Sequence, residues 1–412
     1  MVPSFPAEHE ICGVGARRCV SGESKGLVVV GGGPAALETA RSFREAGGAG
    51  PVSVVSVDAH PPYNRPPLTK DYLRGDIGAD ELPLEDDGFY AEKSIDLRLR
   101  SRAVRLDCTG RVVVLDDGTT IGFTSCVLAT GSSPVPLPVP GAEHEDVLYL
   151  RSRVQGELLR RRAEEARSAV VVGSGFIGCE AAASLAVRGL DVTMVSTEER
   201  PQQARLGQAA AERISGWLEG VGVRVVGDAE VGALHDGRTV ELADGSRHSA
   251  DLVLVAAGVQ QHAELAEQAG IACQDGRILT DASMRTDADG VLAAGDVAAA
   301  FNEAAGRRLV VEHWGEALRM GEIAGSVAAG HEDSWAQAPG FWSEMGERVL
   351  KYAAWGDGYD ETRLVEHGDE AFTVWYSREG VVVGVLTHEA DEDYDRGRIL
   401  VEQGAAFPPE GS

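Results

Sequence analysis

Cysteine is sparse and scattered in this 412-residue chain: Cys12, Cys19, Cys108, Cys126, Cys179 and Cys273 form no Cys-x-x-Cys pair and none of the spacings that hold a metal. Reduced, mostly buried thiols are expected. The ten histidines contain no i, i+4 pair, so a protein-bound metal is not expected either. Basic charge is also short. Thirty-eight Lys and Arg stand against 65 Asp and Glu, a formal net charge of -27 that argues against nucleic acid or an anionic membrane as the main partner, because phosphates are repelled. No apolar run approaches the length that spans a bilayer, and residues 1–24 are polar and glycine-rich with no apolar signal core. A cytoplasmic protein is expected.

Glycine, by contrast, is placed where it carries information. A strand-turn-helix pattern occurs twice: Gly31-Gly32-Gly33-Pro34-Ala35-Ala36 follows the apolar run Leu27 to Val30, and Gly173-Ser174-Gly175-Phe176-Ile177-Gly178 follows Ala169 to Val172. Ala-rich helical patterns come next, Leu37 to Ala46 and Glu180 to Val187. In such a turn the first glycine allows the tight bend, the second lets backbone N–H groups approach a pyrophosphate, and the third small residue lets helix pack on strand. One match would be weak. Two in the right setting, about a domain length apart, predict two bound dinucleotides.

The rest of the chain organises around these turns. Residues 1–24 read as an N-terminal extension. Residues 25–140 carry the first nucleotide unit, whose second strand, Val52 to Val57, ends at Asp58, a carboxylate placed to accept from a ribose hydroxyl. The strand Val127 to Ala129 stops at Thr130-Gly131-Ser132, where the chain is expected to leave one domain for another. Residues 141–275 form the second unit, whose last strand, Asp251 to Val255, meets the small-residue crossing Ala256-Ala257-Gly258. A strand ending at Gly295-Asp296 then opens an Ala-rich stretch, so residues 276–332 are expected to complete the interrupted first domain, with Asp296 as a helix N-cap or a ligand contact. Residues 333–412 alternate apolar and polar residues, as antiparallel strands do, and the acidic segment Glu389 to Arg396 reads as solvated. The fold class is α/β: two Rossmann-like domains followed by a smaller C-terminal α+β domain.

The order Gly-x-Gly-x-x-Ala, Ala129-Thr130-Gly131, Gly-x-Gly-x-x-Gly, Gly295-Asp296 resembles the flavoproteins of the glutathione-reductase-like superfamily. Within it, Pro62-Tyr63-Asn64-Arg65-Pro66-Pro67-Leu68-Thr69-Lys70, Glu312-His313-Trp314 and Phe341-Trp342-Ser343 look like the signatures of NAD(P)H-dependent ferredoxin or rubredoxin reductases that serve bacterial oxygenases and cytochrome P450s. The resemblance implies FAD at the first turn (Gly31, Gly33, Ala36) and NADH or NADPH at the second (Gly173, Gly175, Phe176, Ile177, Gly178). It implies hydride transfer to FAD and then single electrons to a [2Fe-2S] ferredoxin or another small carrier. Arg65, a permanent cation with a rigid donor fork, suits the FAD phosphates or nearby carboxylates. By resemblance Lys70 and Glu180 meet near flavin N5, where an ion pair supplies positive potential as hydride arrives; the alternative is a structural bridge between domains. Asp296 falls on the ribityl or pyrophosphate region. Trp314 and Trp342 either wall the isoalloxazine ring or sit in the core, and Phe176 either gates the nicotinamide pocket or simply packs.

The chain also departs from the pattern. Ser196 stands where NADH-using relatives carry an acid; Glu198 and Glu199 are close enough to replace it, while Arg200 and Arg205 favour a 2′-phosphate, so the nicotinamide preference stays open. Gln261-His262 and Glu344-Met345-Gly346 replace the commoner residues after the second crossing and after Ser343, which bears on the acceptor. An acidic carrier needs a basic patch on so acidic a protein, and Arg307-Arg308 is the candidate. Disulfide reduction is excluded, because no cysteine lies between Cys19 and Cys108 and Tyr63-Asn64-Arg65-Pro66 stands where a single redox cysteine belongs. An NAD(P)H oxidase or small-molecule reductase, and a redox-signalling flavoprotein of the apoptosis-inducing-factor kind, remain as alternatives.

Overall fold

The computed structural model describes residues 25–407, so the extension read at residues 1–24 lies outside the described residues. An unbroken apolar strand is stable only with both faces covered, and Gly26–Val30 lies accordingly inside a sheet. The parallel order is Ile95–Arg98, Val52–Val55, Gly26–Val30, Thr120–Leu128, with Val291–Ala293 beyond. A segment about 160 residues downstream therefore finishes the sheet that the first glycine turn begins. The first half of Thr120–Leu128 pairs instead with an antiparallel extension, Val112–Leu115 and Ala103–Asp107. Helix Pro34–Glu45 packs against helix Trp314–Ala328, where Gly321 and Gly325 lie against the Ala35 and Thr39 carbonyls with no room for a Cβ.

The second glycine turn belongs to a separate parallel sheet ordered Val223–Val226, Asp191–Val195, Ser168–Val172, Leu252–Val255, Val147–Tyr149. The chain passes between the two sheets twice, and the two crossings, Ser132–Pro134 and Val259–Gln261, pair antiparallel with each other. A third, five-stranded antiparallel sheet follows in the order Gly340–Met345, Arg348–Ala354, Val381–His388, Ala371–Arg378, Glu361–Gly368. The acidic run Glu389 to Arg396 is largely exposed and opens helix Asp391–Gln403, which buries Gly397 and Val401 against this sheet.

One expectation is corrected. No helix follows Asp296 for it to cap; the Ala-rich run forms the strand Ala298–Asn302, between Arg277–Thr280 and Arg307–Val310. Alanine favours helix, but here Ala298, Ala299 and Ala300 are buried between two strands whose ladders leave no alternative partner for their backbone. Among the described residues no helix is long and apolar enough to cross a membrane.

Candidate active site

A cleft of about 1920 Å³ runs between the two parallel sheets and the C-terminal sheet. An ordinary small-molecule pocket holds roughly 300–1,000 Å³, so there is space for two dinucleotides. Both glycine turns open into it. Helices Pro34–Glu45 and Phe176–Val187 each begin there with no side-chain cap and no acid in the first turn. Their free N–H groups and positive dipole ends are built to meet anions. A Cβ on Gly33 would meet nothing nearer than Arg65, and one on Gly175 nothing nearer than Gln202, so these turns stay open to a ligand, whereas Gly178 is pressed against the Gly173 carbonyl.

The first-turn side of the cleft gathers the polar residues anticipated there. Asp58 accepts from the Tyr63 hydroxyl at 3.0 Å and from the His60 backbone N–H at 3.1 Å. Arg65 reaches the Arg151 carbonyl at 3.1 Å and lies over the Tyr63 ring, 5.4 Å from its centroid. Among the described residues it makes no ion pair with a carboxylate. Asp296 is 7% exposed, accepts from the Ser132 hydroxyl at 2.6 Å and pairs with Arg151. The Thr130 hydroxyl donates to the His262 carbonyl at 2.6 Å, tying the two crossings together.

Lys70 and Glu180 do meet. The ammonium lies 2.6 Å from Glu180 Oε2, each side chain 7% exposed, and the Thr69 hydroxyl donates to the same oxygen at 2.6 Å. Glu180 Oε1 accepts from the Ser343 hydroxyl at 2.8 Å. The burial of both charges is tolerable because the carboxylate is fully hydrogen-bonded. Ser343 stands in the Phe341-Trp342-Ser343 signature, but its partner left no local signal: alternation along the strand turns it inward beside exposed Trp342, and only the packing of the C-terminal sheet brings it to Glu180.

An aromatic layer lines the cleft beside this pair. His313 stacks on Phe341 with ring centres 4.2 Å apart, and Phe176 meets Phe341 edge-on at 4.6 Å. Burial, reinforced by the nearby Arg205 cation, pulls the His313 pKa down to about 4, so the imidazole is neutral at ordinary pH. Trp314 and Trp342 line the cleft, as do Ala129, Gly131, Ile177, Gly258, Gly295 and Glu312; Glu312 is bound by Arg277 at 2.6 Å.

Other anticipated residues do not reach the lining. Ala36, Gly173 and Gly178 serve strand-helix packing. Ser196 is 2% exposed and bonded to the Ser174 hydroxyl at 2.7 Å; it anchors its loop by accepting from the Glu198 N–H at 3.0 Å. Glu198 accepts from the Ala204 N–H at 3.0 Å, and Arg200 is engaged by Glu199 at 2.6 Å. Arg151 and Tyr352, which also face the site, carried no sequence signal, and Ser132 signalled only the domain crossing, since the positions of all three in the site follow from domain packing.

Comparison with known proteins agrees with this geometry. Residues 25–321 match the family model described as pyridine nucleotide-disulphide oxidoreductase, and residues 340–411 the one described as reductase C-terminal. The chain is 32% identical to a ferredoxin–NAD(P)(+) reductase of Sphingomonas sp over 93% of its own length and 94% of that protein's. It is 33% identical to the ferredoxin reductase component of a chlorobenzene dioxygenase of Cupriavidus sp. (strain PS12), at the same coverages. The crystal structure of the ferredoxin reductase for the CYP199A2 system of Rhodopseudomonas palustris superposes with a TM-score of 0.88 at 29% identity, covering 93% of this chain and 96% of that one.

Proposed function

Since the chain belongs to the pyridine nucleotide-disulphide oxidoreductase family, we propose that it is an FAD-dependent reductase that takes hydride from NAD(P)H and delivers electrons singly to a small ferredoxin-type carrier, a [2Fe-2S] protein in the first instance. The observation that carries this reading is the cleft, into which two uncapped helix N-termini open together with the buried Lys70–Glu180 pair. We assign residues 25–140 and 276–332 to FAD, 141–275 to NAD(P)H, and 333–412 to closure of the site.

The residues fit the cofactor. Arg65, which makes no ion pair with a carboxylate among the described residues and lies beside the Gly33 turn, suits a phosphate; Asp58 suits a ribose; Asp296, held by Ser132 and Arg151, suits the chain between them. When bound, FAD supplies a two-electron acceptor that can release electrons one at a time. Lys70 then holds a positive charge at the site where negative charge develops, and Glu180 keeps that ammonium in one orientation. Phe176, edge-on to Phe341, and the neutral His313 stacked on Phe341 exclude water from the reacting face. Among the described residues no cysteine lines the cleft, and burial pushes the thiols of Cys126 and Cys179 up, which disfavours disulfide chemistry despite the family name.

The purified protein should be yellow, bleach anaerobically with NADH or NADPH, and reduce a [2Fe-2S] ferredoxin far faster than dioxygen. A preparation that takes up no FAD would overturn the reading; dioxygen as the faster acceptor would make it an oxidase.

A further inference from the structure

Helix Gln203–Gly220 is interrupted. Gly207 adopts φ 79° and ψ 171°, outside the helical region, which sets its first turn apart from the rest. The interruption is filled by the C-terminal sheet. The Leu206 carbonyl accepts a 2.8 Å hydrogen bond from the hydroxyl of Tyr376, a residue 1% exposed on the strand Ala371–Arg378. A Cβ on Gly207 would stand 2.8 Å from the Tyr359 hydroxyl, whose ring packs 4.8 Å from that of Tyr376.

The turn held in this way makes the ties to the second nucleotide loop. Gln202, itself at φ 64°, donates Nε2 to the Ser174 carbonyl at 2.8 Å. Ser174 holds Ser196, the Ala204 N–H binds Glu198, and the Arg205 guanidinium lies 5.8 Å from the centre of the Phe176 ring. Ala204 and Arg205 line the cleft, whereas Gly207, Tyr359 and Tyr376 do not.

We propose that Tyr376 and Gly207 form a positioning device for the nicotinamide nucleotide: the C-terminal sheet holds residues 202–206, and through them the loop at 196–200, in the form that accepts NAD(P)H. The inference rests on the second glycine turn being the NAD(P)H site. A buried carbonyl that loses its donor is costly, so without the Tyr376 hydroxyl the turn shifts to find another partner. Glycine is required because a φ of 79° is strained for any side chain. With alanine there the turn moves toward the continuous helix and carries Ala204 and Arg205 with it.

The test uses FAD-loaded protein, with calorimetric titration of NAD+ and NADP+ and steady-state turnover of NADH and NADPH against ferricyanide, for the native protein, Tyr376→Phe and Gly207→Ala. Both variants should keep their flavin spectrum and their kcat at saturation while Kd and KM for the preferred nucleotide rise about fivefold to tenfold, the loss expected for one buried hydrogen bond. Unchanged affinity in both variants of a protein that binds nucleotide would overturn the inference alone, as would a fall in kcat or FAD content with KM unaltered. A native protein that binds neither nucleotide would overturn the functional reading and this inference together.

Discussion

The Ser343 hydroxyl donates to Glu180 Oε1 at 2.8 Å, leaving Oε2 to Lys70 and Thr69, each at 2.6 Å. One carboxylate thus joins the segment after the first glycine turn, the helix of the second and the C-terminal sheet. Its two oxygens are bound separately, so its orientation toward Lys70 is fixed from both sides.

Lys70→Ala or Glu180→Ala is expected to leave FAD bound and to slow flavin reduction on the order of a hundredfold, the scale of losing one preorganised charge at a developing anion. The double variant should lose far less than the product of the two, because both remove one interaction. Ser343→Ala should cost less, about fivefold, as one hydrogen bond is worth about 1 kcal/mol. Strictly multiplicative losses in stopped-flow reduction would show that the pair does not act as a unit.

The nicotinamide preference should be shallow, about tenfold or about 1.4 kcal/mol, because Ser196 supplies no carboxylate and Arg200 is occupied by Glu199. Glu199→Gln frees the Arg200 guanidinium and should move kcat/KM toward NADPH; neutralising Glu198 as well should move it further, since a nearby carboxylate repels a 2′-phosphate. Ser196→Glu should weaken binding of both nucleotides without moving the preference, because it buries a carboxylate where the hydroxyl anchors the loop. No response to any of these changes would mean that other residues read the ribose.

Glu316 offers a test of pH-dependent stability. It is buried at 9% exposure, where it accepts from the Trp335 indole N–H at 3.1 Å and the Gly340 N–H at 3.3 Å. Burial raises its pKa to about 7. The folded state therefore binds a proton that the unfolded chain releases at lower pH, and this group's contribution to stability is lost as pH rises from about 5 to about 7. Glu316→Gln cannot ionise, so relative to the native protein it should gain a few kcal/mol between pH 5 and pH 8 in denaturant titrations. An equal offset at both pH values would mean that Glu316 titrates normally.

Arg307 is paired with Asp357, so the basic patch anticipated there reduces to exposed Arg308, which lines the cleft together with Val310, 57% exposed, and Trp342, 46%. Arg308→Glu should raise KM for an acidic ferredoxin about tenfold at low salt, with the difference fading at high ionic strength, because rim charges act on encounter. NADH-ferricyanide turnover should be unaffected. A KM for ferredoxin that ignores both the substitution and the salt would move the docking face elsewhere.

The sequence by itself determined the local units. A tight turn between an apolar strand and a helix needs glycine at set places, so both nucleotide turns, and the acid at the end of the strand after the first, were legible from Gly31 to Asp58 and from Gly173 onward. The signature around Lys70 and the lack of a redox cysteine were equally local. Tertiary structure decided what depends on neighbours distant in the chain. The Ala-rich run after Asp296 became a strand because strands flank it on both sides, although alanine alone favours helix. His313 lost its basicity to burial beneath Phe341, and Ser196, read as a specificity position, became a buried anchor for its loop. Ser343 reached Glu180, and Tyr376 reached Leu206, only because the C-terminal sheet packs over the cleft. Hydrogen bonds spanning 163 and 170 residues are set by that packing, which no local pattern encodes.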